Sequence, residues 1–418
     1  MSRALIAVLL LTAAFNTVRA ESPDAESPPL EQARQLLDRH ALIDGHNDVP
    51  WQVRERFERR VGELDFAGDT ATLESPMHTD LSRLRDGRVG AQFWSVYVDP
   101  EFSGDEAVRI QLEQLDVAHR LIDRHDALEF ATTADDIERA FEQGRIASLL
   151  GLEGGHTLNN SLAVLRMYHR LGARYLTLTH WQSHDWADAS TDAARHEGLS
   201  EFGKEVVREM NRLGMLVDLS HVSEAVMHDS LDVSEAPVIF SHSSARGVTD
   251  HPRNVPDDAL ERLPDNGGIV MVTFVPGFIN ETVRQWDARK EGEQARLERL
   301  HPGDAEAVEA GMEAWEANNP APRATIADVA DHIDYIRDRI GVEHIGIGGD
   351  FDGISSTPEG LEDTATYPAL FAELIRRGYS DEELVAIAGG NMLRVLREAE
   401  AVSGRLRSER GPSQVQYE

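Results

Sequence analysis

The sequence predicts an α/β fold, a (β/α)8 TIM barrel carrying helical insertions. Three observations predict it: eight short apolar runs of β type, amphipathic helical patterns between most of them, and a titratable or metal-capable residue closing six of the eight runs. Continuous apolar strands alternating with helices belong to a parallel sheet covered on both faces. Eight repeats of that unit suit a closed barrel better than the competing open, doubly wound sheet. A chain of 418 residues accommodates one such barrel with insertions.

Composition narrows the function. With 41 Lys+Arg against 74 Asp+Glu the net charge is −33, which argues against nucleic acid as a partner, because a phosphate backbone would be repelled. All but Lys204 and Lys290 of the basic residues are arginine, and no basic run appears. There is no cysteine, so disulfides, thiolate metal sites and cysteine nucleophiles are excluded.

In chain order, Arg3, the apolar stretch 4–15 and Val18-Arg19-Ala20 predict a secretory signal peptide over residues 1–20, cleaved after Ala20. The apolar stretch is well short of the ~20 residues that span a bilayer. The barrel domain then covers 21–418, opening on a polar Pro/Ser-rich tail at 21–29. Residues 405–418 are polar and charged, so no C-terminal lipid-anchor signal is expected. The expectation is an exported protein, periplasmic or secreted, without a stable membrane anchor.

The expected strands are 41–45, 89–98, 146–153, 173–180, 215–221, 237–242, 268–275 and 344–350, and helical patterns occupy 106–125, 161–171, 201–213 and 326–340, among others. Two long connections exceed a minimal barrel, 51–88 and 276–323. The second, from Pro276 to Arg323, contains helical patterns at 282–300 and 304–318 and is expected to be a lid, a subunit contact or a solvated decoration.

The polar residues ending these runs share the face where barrel enzymes build active sites. The first run leads into His46 and Asp48, whose side chains leave one face of an extended chain. Glu153, His180, His221, His242 and Asp350 close five others. Singly, each has a structural explanation: His-x-Asp forms caps and turns, Glu153 suits a helix's first turn, and a strand-end histidine is often a core residue. His40, His119 and His169 lie outside this pattern and receive no role. Together, His46, Asp48, Glu153, His221 and His242 make an N/O donor set suited to zinc or a similar divalent ion. Five ligands with one bridging carboxylate favour two ions over one, and such a pair activates water and polarises a carbonyl.

Asp44-Gly45-His46-Asn47-Asp48, Gly151-Leu152-Glu153-Gly154-Gly155-His156, Thr177-Leu178-Thr179-His180, Val217-Asp218-Leu219-Ser220-His221, Ser241-His242-Ser243-Ser244-Ala245, Arg253-Asn254-Val255-Pro256-Asp257 and Gly348-Gly349-Asp350-Phe351-Asp352-Gly353 occur in order. In them, from about Leu42 to Arg394, the chain resembles the membrane dipeptidase (renal dipeptidase) family of zinc peptidases, within the amidohydrolase superfamily. The resemblance implies His46 and Asp48 on one zinc, His221 and His242 on the other, and Glu153 bridging. It further implies that His180 contacts substrate near the scissile carbonyl, Arg253 takes the substrate carboxylate, and Asp350 shuttles protons. It also implies a homodimer. Animal members carry cysteines and a lipid-anchor tail; this chain shows neither, and the segment Trp181-Gln182-Ser183-His184-Asp185 leaves the side-chain preference of the pocket open.

The leading expectation is an exported two-zinc dipeptidase acting on free dipeptides, including those with a D-residue at the C-terminal side. The alternatives are the same centre acting on another amide such as a β-lactam, and a non-catalytic metal- or peptide-binding protein. An unliganded carboxylate at Asp350 argues for catalysis over binding. For Arg253 the bland alternative is an ion pair with Asp257 or Asp258.

Overall fold

The computed structural model describes residues 27–417; the expected signal peptide, 1–20, lies outside them. Nine strands form one sheet: β1 Leu42–Asn47, β2 Val89–Tyr97, β3 Leu128–Phe130, β4 Ile146–Glu153, β5 Ala173–Thr177, β6 Leu216–Asp218, β7 Ile239–Ser243, β8 Ile269–Val272 and β9 Ile345–Ile347. Every pairing is parallel, and the order β2-β1-β9-β8-β7-β6-β5-β4 is closed by β2 against β4. That closure is the (β/α)8 barrel. The ninth strand, β3, pairs only with Ile146–Ser148 at the start of β4 and lies outside the closed ring. Three residues without an apolar run gave no sequence signal for it.

Alternate strand residues divide between two buried clusters. Ile43, Phe93, Leu149, Tyr175, Leu216, Ile239 and Met271 belong to one; Leu42, Trp94, Leu150, Leu176, Val217, Phe240 and Val270 belong to the other, with the apolar faces of the surrounding helices. Those helices include Gly104–Asp123, Leu162–Arg170, Glu201–Leu213 and Ile326–Ile340, within two residues of the expected spans. No helix among the described residues is long and apolar enough to cross a membrane.

Several strands stop sooner than the sequence suggests. The ladder ends at Thr177, Asp218, Val272 and Ile347, so His180, His221 and Asp350 sit just past it. The chain turns there: His221 and Asp350 adopt left-handed backbone, with φ 69° and 63°, which no strand residue can hold. Asp48 also departs from expectation. It does not continue β1 but caps the helix Val49–Phe57, and its carboxylate makes no capping hydrogen bond.

Candidate metal centre and substrate cavity

Glu153, last residue of β4, stands between two groups of donors. Its Oε2 is 3.3 Å from Nε2 of His46, which is 3.3 Å from Oδ2 of Asp48. Its Oε1 is 3.2 Å from Nε2 of His221 and 3.4 Å from Nε2 of His242, and those two nitrogens are 3.0 Å apart. All five residues are buried. Ligands about 2.0–2.2 Å from a tetrahedral ion lie roughly 3.3–3.5 Å from one another. These five separations, 3.0–3.4 Å, are close to such edges, so the donor set fits two ions sharing the carboxylate of Glu153.

Hydrogen bonds behind the histidines turn the right nitrogen inward. The Tyr175 hydroxyl donates to the Gly45 carbonyl at 3.2 Å, so it accepts from Nδ1–H of His46 at 2.8 Å and turns Nε2 toward Glu153 and Asp48. Ser241 Oγ donates to Oδ2 of Asp218 at 2.6 Å and so accepts from Nδ1–H of His242 at 2.8 Å, turning that Nε2 toward Glu153 as well. Asp218 Oδ1 accepts from the backbone N–H groups of Ser220 and Ser241, tying β6 to β7. Such partners fix tautomer and ring orientation. Ser95 donates to Glu153 Oε2 at 3.0 Å.

Burial, then the Arg253 charge and the neighbouring histidines, hold the pKa of His221 well below its ordinary value. Burial, then His46 and Arg253, do the same for His242. Both therefore stay neutral, as a metal ligand must be. Burial opposes charge on His46 too, but Tyr175, Glu153 and Asp48 outweigh it and raise its pKa.

The centre opens into a cavity of about 1050 Å³ lined by Asp48, Glu153, His180, His221, His242, Arg253 and Asp350, among others. His180 Nε2 is 3.8 Å from Glu153 Oε1, farther than the other histidines. Its ring lies against Tyr97, Trp181 and His221, its buried Nδ1 has no partner, and burial followed by Arg253 keeps it neutral. Asp350 places an oxygen within 4.8 Å of ligand atoms of His46 and Asp48. Burial, then Asp48 and Glu153, raise its pKa well above a carboxylate's usual value, against the pull of His46 and Arg253. A Cβ on Gly353 would come 2.3 Å from Asp48 Oδ2 and 2.5 Å from Asp350 Oδ1, so only glycine lets both carboxylates converge there.

Arg253 is 1% exposed and makes no ion pair among the described residues. Burial lowers its pKa to about 10, against Asp350 and Glu153, so it remains charged at neutral pH. It donates to Ser243 Oγ and the His242 carbonyl, both at 3.3 Å, while its Nε is unpartnered. Asp257 pairs instead with Arg339, and Asp258 with His228, which removes the bland reading of Arg253.

A family model described as "Membrane dipeptidase (Peptidase family M19)" matches residues 30–410. The chain belongs to the membrane dipeptidase family. It is 42% identical over 377 residues to Dipeptidase 3 of Rattus norvegicus, covering 89% of this chain and 68% of that protein. It is likewise 42% identical over 390 residues to dipeptidase verJ of Clonostachys rogersoniana, covering 90% of this chain and 89% of that one. Among solved structures, the probable dipeptidase PvdM from Pseudomonas aeruginosa shares the fold with TM-score 0.76 and 24% identity, over 90% of this chain and 99% of that one. A metallo peptidase from Rhodobacter sphaeroides, liganded with a phosphinate mimic of the dipeptide L-Ala-D-Ala, has TM-score 0.70 and 22% identity, over 86% of this chain and 99% of that one.

In this dipeptidase-family chain the fold brings together all eight residues singled out from sequence. Sequence reasoning missed Tyr175, Asp218, Ser241, Ser95 and Gly353. Asp218 and Ser241 stand inside quoted motifs, and a polar residue within a buried strand was the available signal; Tyr175 reads as ordinary core. The insertion also becomes legible. Its helix Glu281–Leu300 lines the cavity through Val283, Arg284, Asp287 and Lys290. Its helix Ala305–Asn318 buries no residue and rests on the first through Trp315 against Trp286 and Glu316 on Lys290 at 2.7 Å.

Proposed function

We propose that this chain is an exported dipeptidase that uses two zinc ions to hydrolyse the peptide bond of free dipeptides, including those with a D-configured second residue. The observation that carries the reading is the placement of Glu153 between two donor groups in the same cavity as the buried, unpaired Arg253. In this reading His46 and Asp48 hold one ion, His221 and His242 the other, and Glu153 both. When bound, such ions supply Lewis acidity that polarises a carbonyl and lowers the pKa of water.

The chain's own groups do the rest. The Arg253 guanidinium, a two-pronged donor, receives the substrate carboxylate and so sets the distance from the chain end to the scissile bond. Neutral His180 offers one N–H to the carbonyl oxygen as negative charge develops on it. Asp350, with its raised pKa, accepts a proton from the attacking water and returns it to the leaving amine nitrogen.

Export rests on the short apolar stretch after Arg3 and the small residues before Glu21. The D-residue extension is motivated by the dipeptide mimic bound to the Rhodobacter sphaeroides protein. The deciding experiment joins metal analysis of purified protein to a panel of dipeptides with L- and D-configured second residues. About two zinc ions per chain and hydrolysis of dipeptides but not longer peptides are expected. Full activity after a chelator has removed all divalent metal would sink the proposal.

A further inference from the structure

We infer that an arginine-lined cavity at the opposite, N-terminal end of the barrel is a binding site for a small oxyanion carrying two or more charges, of the phosphate or phosphomonoester type. The cavity, of about 440 Å³, is lined by Arg166, His169, Arg170, Arg174, Arg212 and Arg407, with Leu213 and Pro412. Arg174 is the second residue of β5, whereas the metal centre lies beyond the C-terminal strand ends, so the two sites are separate. Nothing in the proposed peptide chemistry uses this cavity.

The charge balance is what singles it out. Across the chain, acids outnumber bases 74 to 41, and most arginines find a carboxylate. Here Asp136 and Glu400 act on Arg174 from beyond ion-pair distance, and the one carboxylate among the described residues that pairs with any of the five guanidiniums is Glu209. That carboxylate is already taken by Arg212, with two bonds of 2.8 Å, and by Arg166 at 3.2 Å. Arg170, Arg174 and Arg407 make no ion pair among the described residues. Arg174 donates to the carbonyls of Thr132, His169 and Ala173, and Arg407 to those of Arg212 and Leu213. These bonds cap the ends of the helices Leu162–Arg170 and Glu201–Leu213, but a carbonyl neutralises no charge. Among the described residues, Nη2 of Arg174 and Nη1 of Arg407 are unpartnered and Arg170 donates to no protein group. The local field is visible at His169, whose pKa is held at about 4 by burial and then by Arg174, Arg407 and Arg212.

Planar guanidiniums match the oxygens of a phosphate or carboxylate in pairs, and a dianion can satisfy several at once. A cavity of this volume also leaves room for an organic group beside the anion. The ligand would tie together elements far apart in sequence: the helix Leu162–Arg170, β5, the helix Glu201–Leu213 and the C-terminal helix Asn391–Glu409. Binding should therefore raise the thermal midpoint by mass action.

The test is calorimetric titration of the metal-loaded full chain with inorganic phosphate and with glycerol 3-phosphate, against sodium chloride of equal ionic strength. Saturable binding and a raised midpoint are expected, with the tighter of the two ligands distinguishing a free from an esterified phosphate. Arg170→Glu removes no hydrogen bond to the protein, and it should weaken binding at least about tenfold, as should Arg407→Ala, with dipeptide hydrolysis unchanged. Heats and midpoints no different from sodium chloride would overturn the inference. So would binding that persists in both variants and inhibits hydrolysis, since that anion sits at the metal centre.

Discussion

The Tyr175 hydroxyl stands 2.8 Å from Nδ1 of His46, although 129 residues separate the two in the chain. It reaches that position because Gly151 carries no side chain: a Cβ there would lie 1.9 Å from the ring. Tyr175→Phe keeps the packing and removes the acceptor that fixes the His46 tautomer. Metal affinity should fall by about 10- to 100-fold, the usual cost of losing such a partner. Titration of the apo-protein with zinc, followed by metal analysis, measures it; unchanged affinity would show that the hydroxyl is dispensable.

In the proposed two-ion site, the shared carboxylate separates the fates of the ions. Glu153→Ala should disturb both sites, while His46→Ala should mainly empty one, because only Oε2 of Glu153 faces His46. Zinc per chain by elemental analysis should then fall toward zero in the first variant and toward one in the second. Equal losses in both would contradict the two-site assignment.

Asp350→Asn keeps size and hydrogen bonding but cannot accept a proton. Turnover should fall by at least ~10²-fold, the lower range for a general acid or base, with zinc content near wild type. Loss of zinc alongside activity would instead make Asp350 a ligand, a role its proximity to His46 and Asp48 permits.

In the proposed function, Arg253 carries the preference for free dipeptides. Amidating the C-terminus of a good substrate should abolish most activity in the wild type. In Arg253→Ala, hydrolysis of the free acid should fall by a comparable factor and the acid–amide gap should close. The guanidinium makes no ion pair among the described residues, so the variant breaks no salt bridge, although Asp350 and Glu153 lose a nearby positive charge. An unchanged acid-to-amide ratio would mean that the carboxylate is read elsewhere.

What the sequence determined by itself is the part written in local pattern. Eight apolar runs separated by amphipathic helices specify a closed parallel barrel, because burial on both faces leaves a strand no polar alternation. The same logic exposed Glu153, His221, His242 and Asp350, since a titratable residue closing an apolar run must lie at the strand's C-terminal end. Tertiary structure decided the rest. Asp48 became a helix cap and not a strand residue, and His221 and Asp350 turned into the site through left-handed backbone, a choice no period encodes. The pairing of Tyr175 with His46, and of Asp218 through Ser241 with His242, exists only once distant strands are brought side by side. The five arginines of the second cavity likewise come from four separate segments and form no run. Periodicity records which face of an element is buried; which side chain it meets there is set by closure of the barrel, a non-local event.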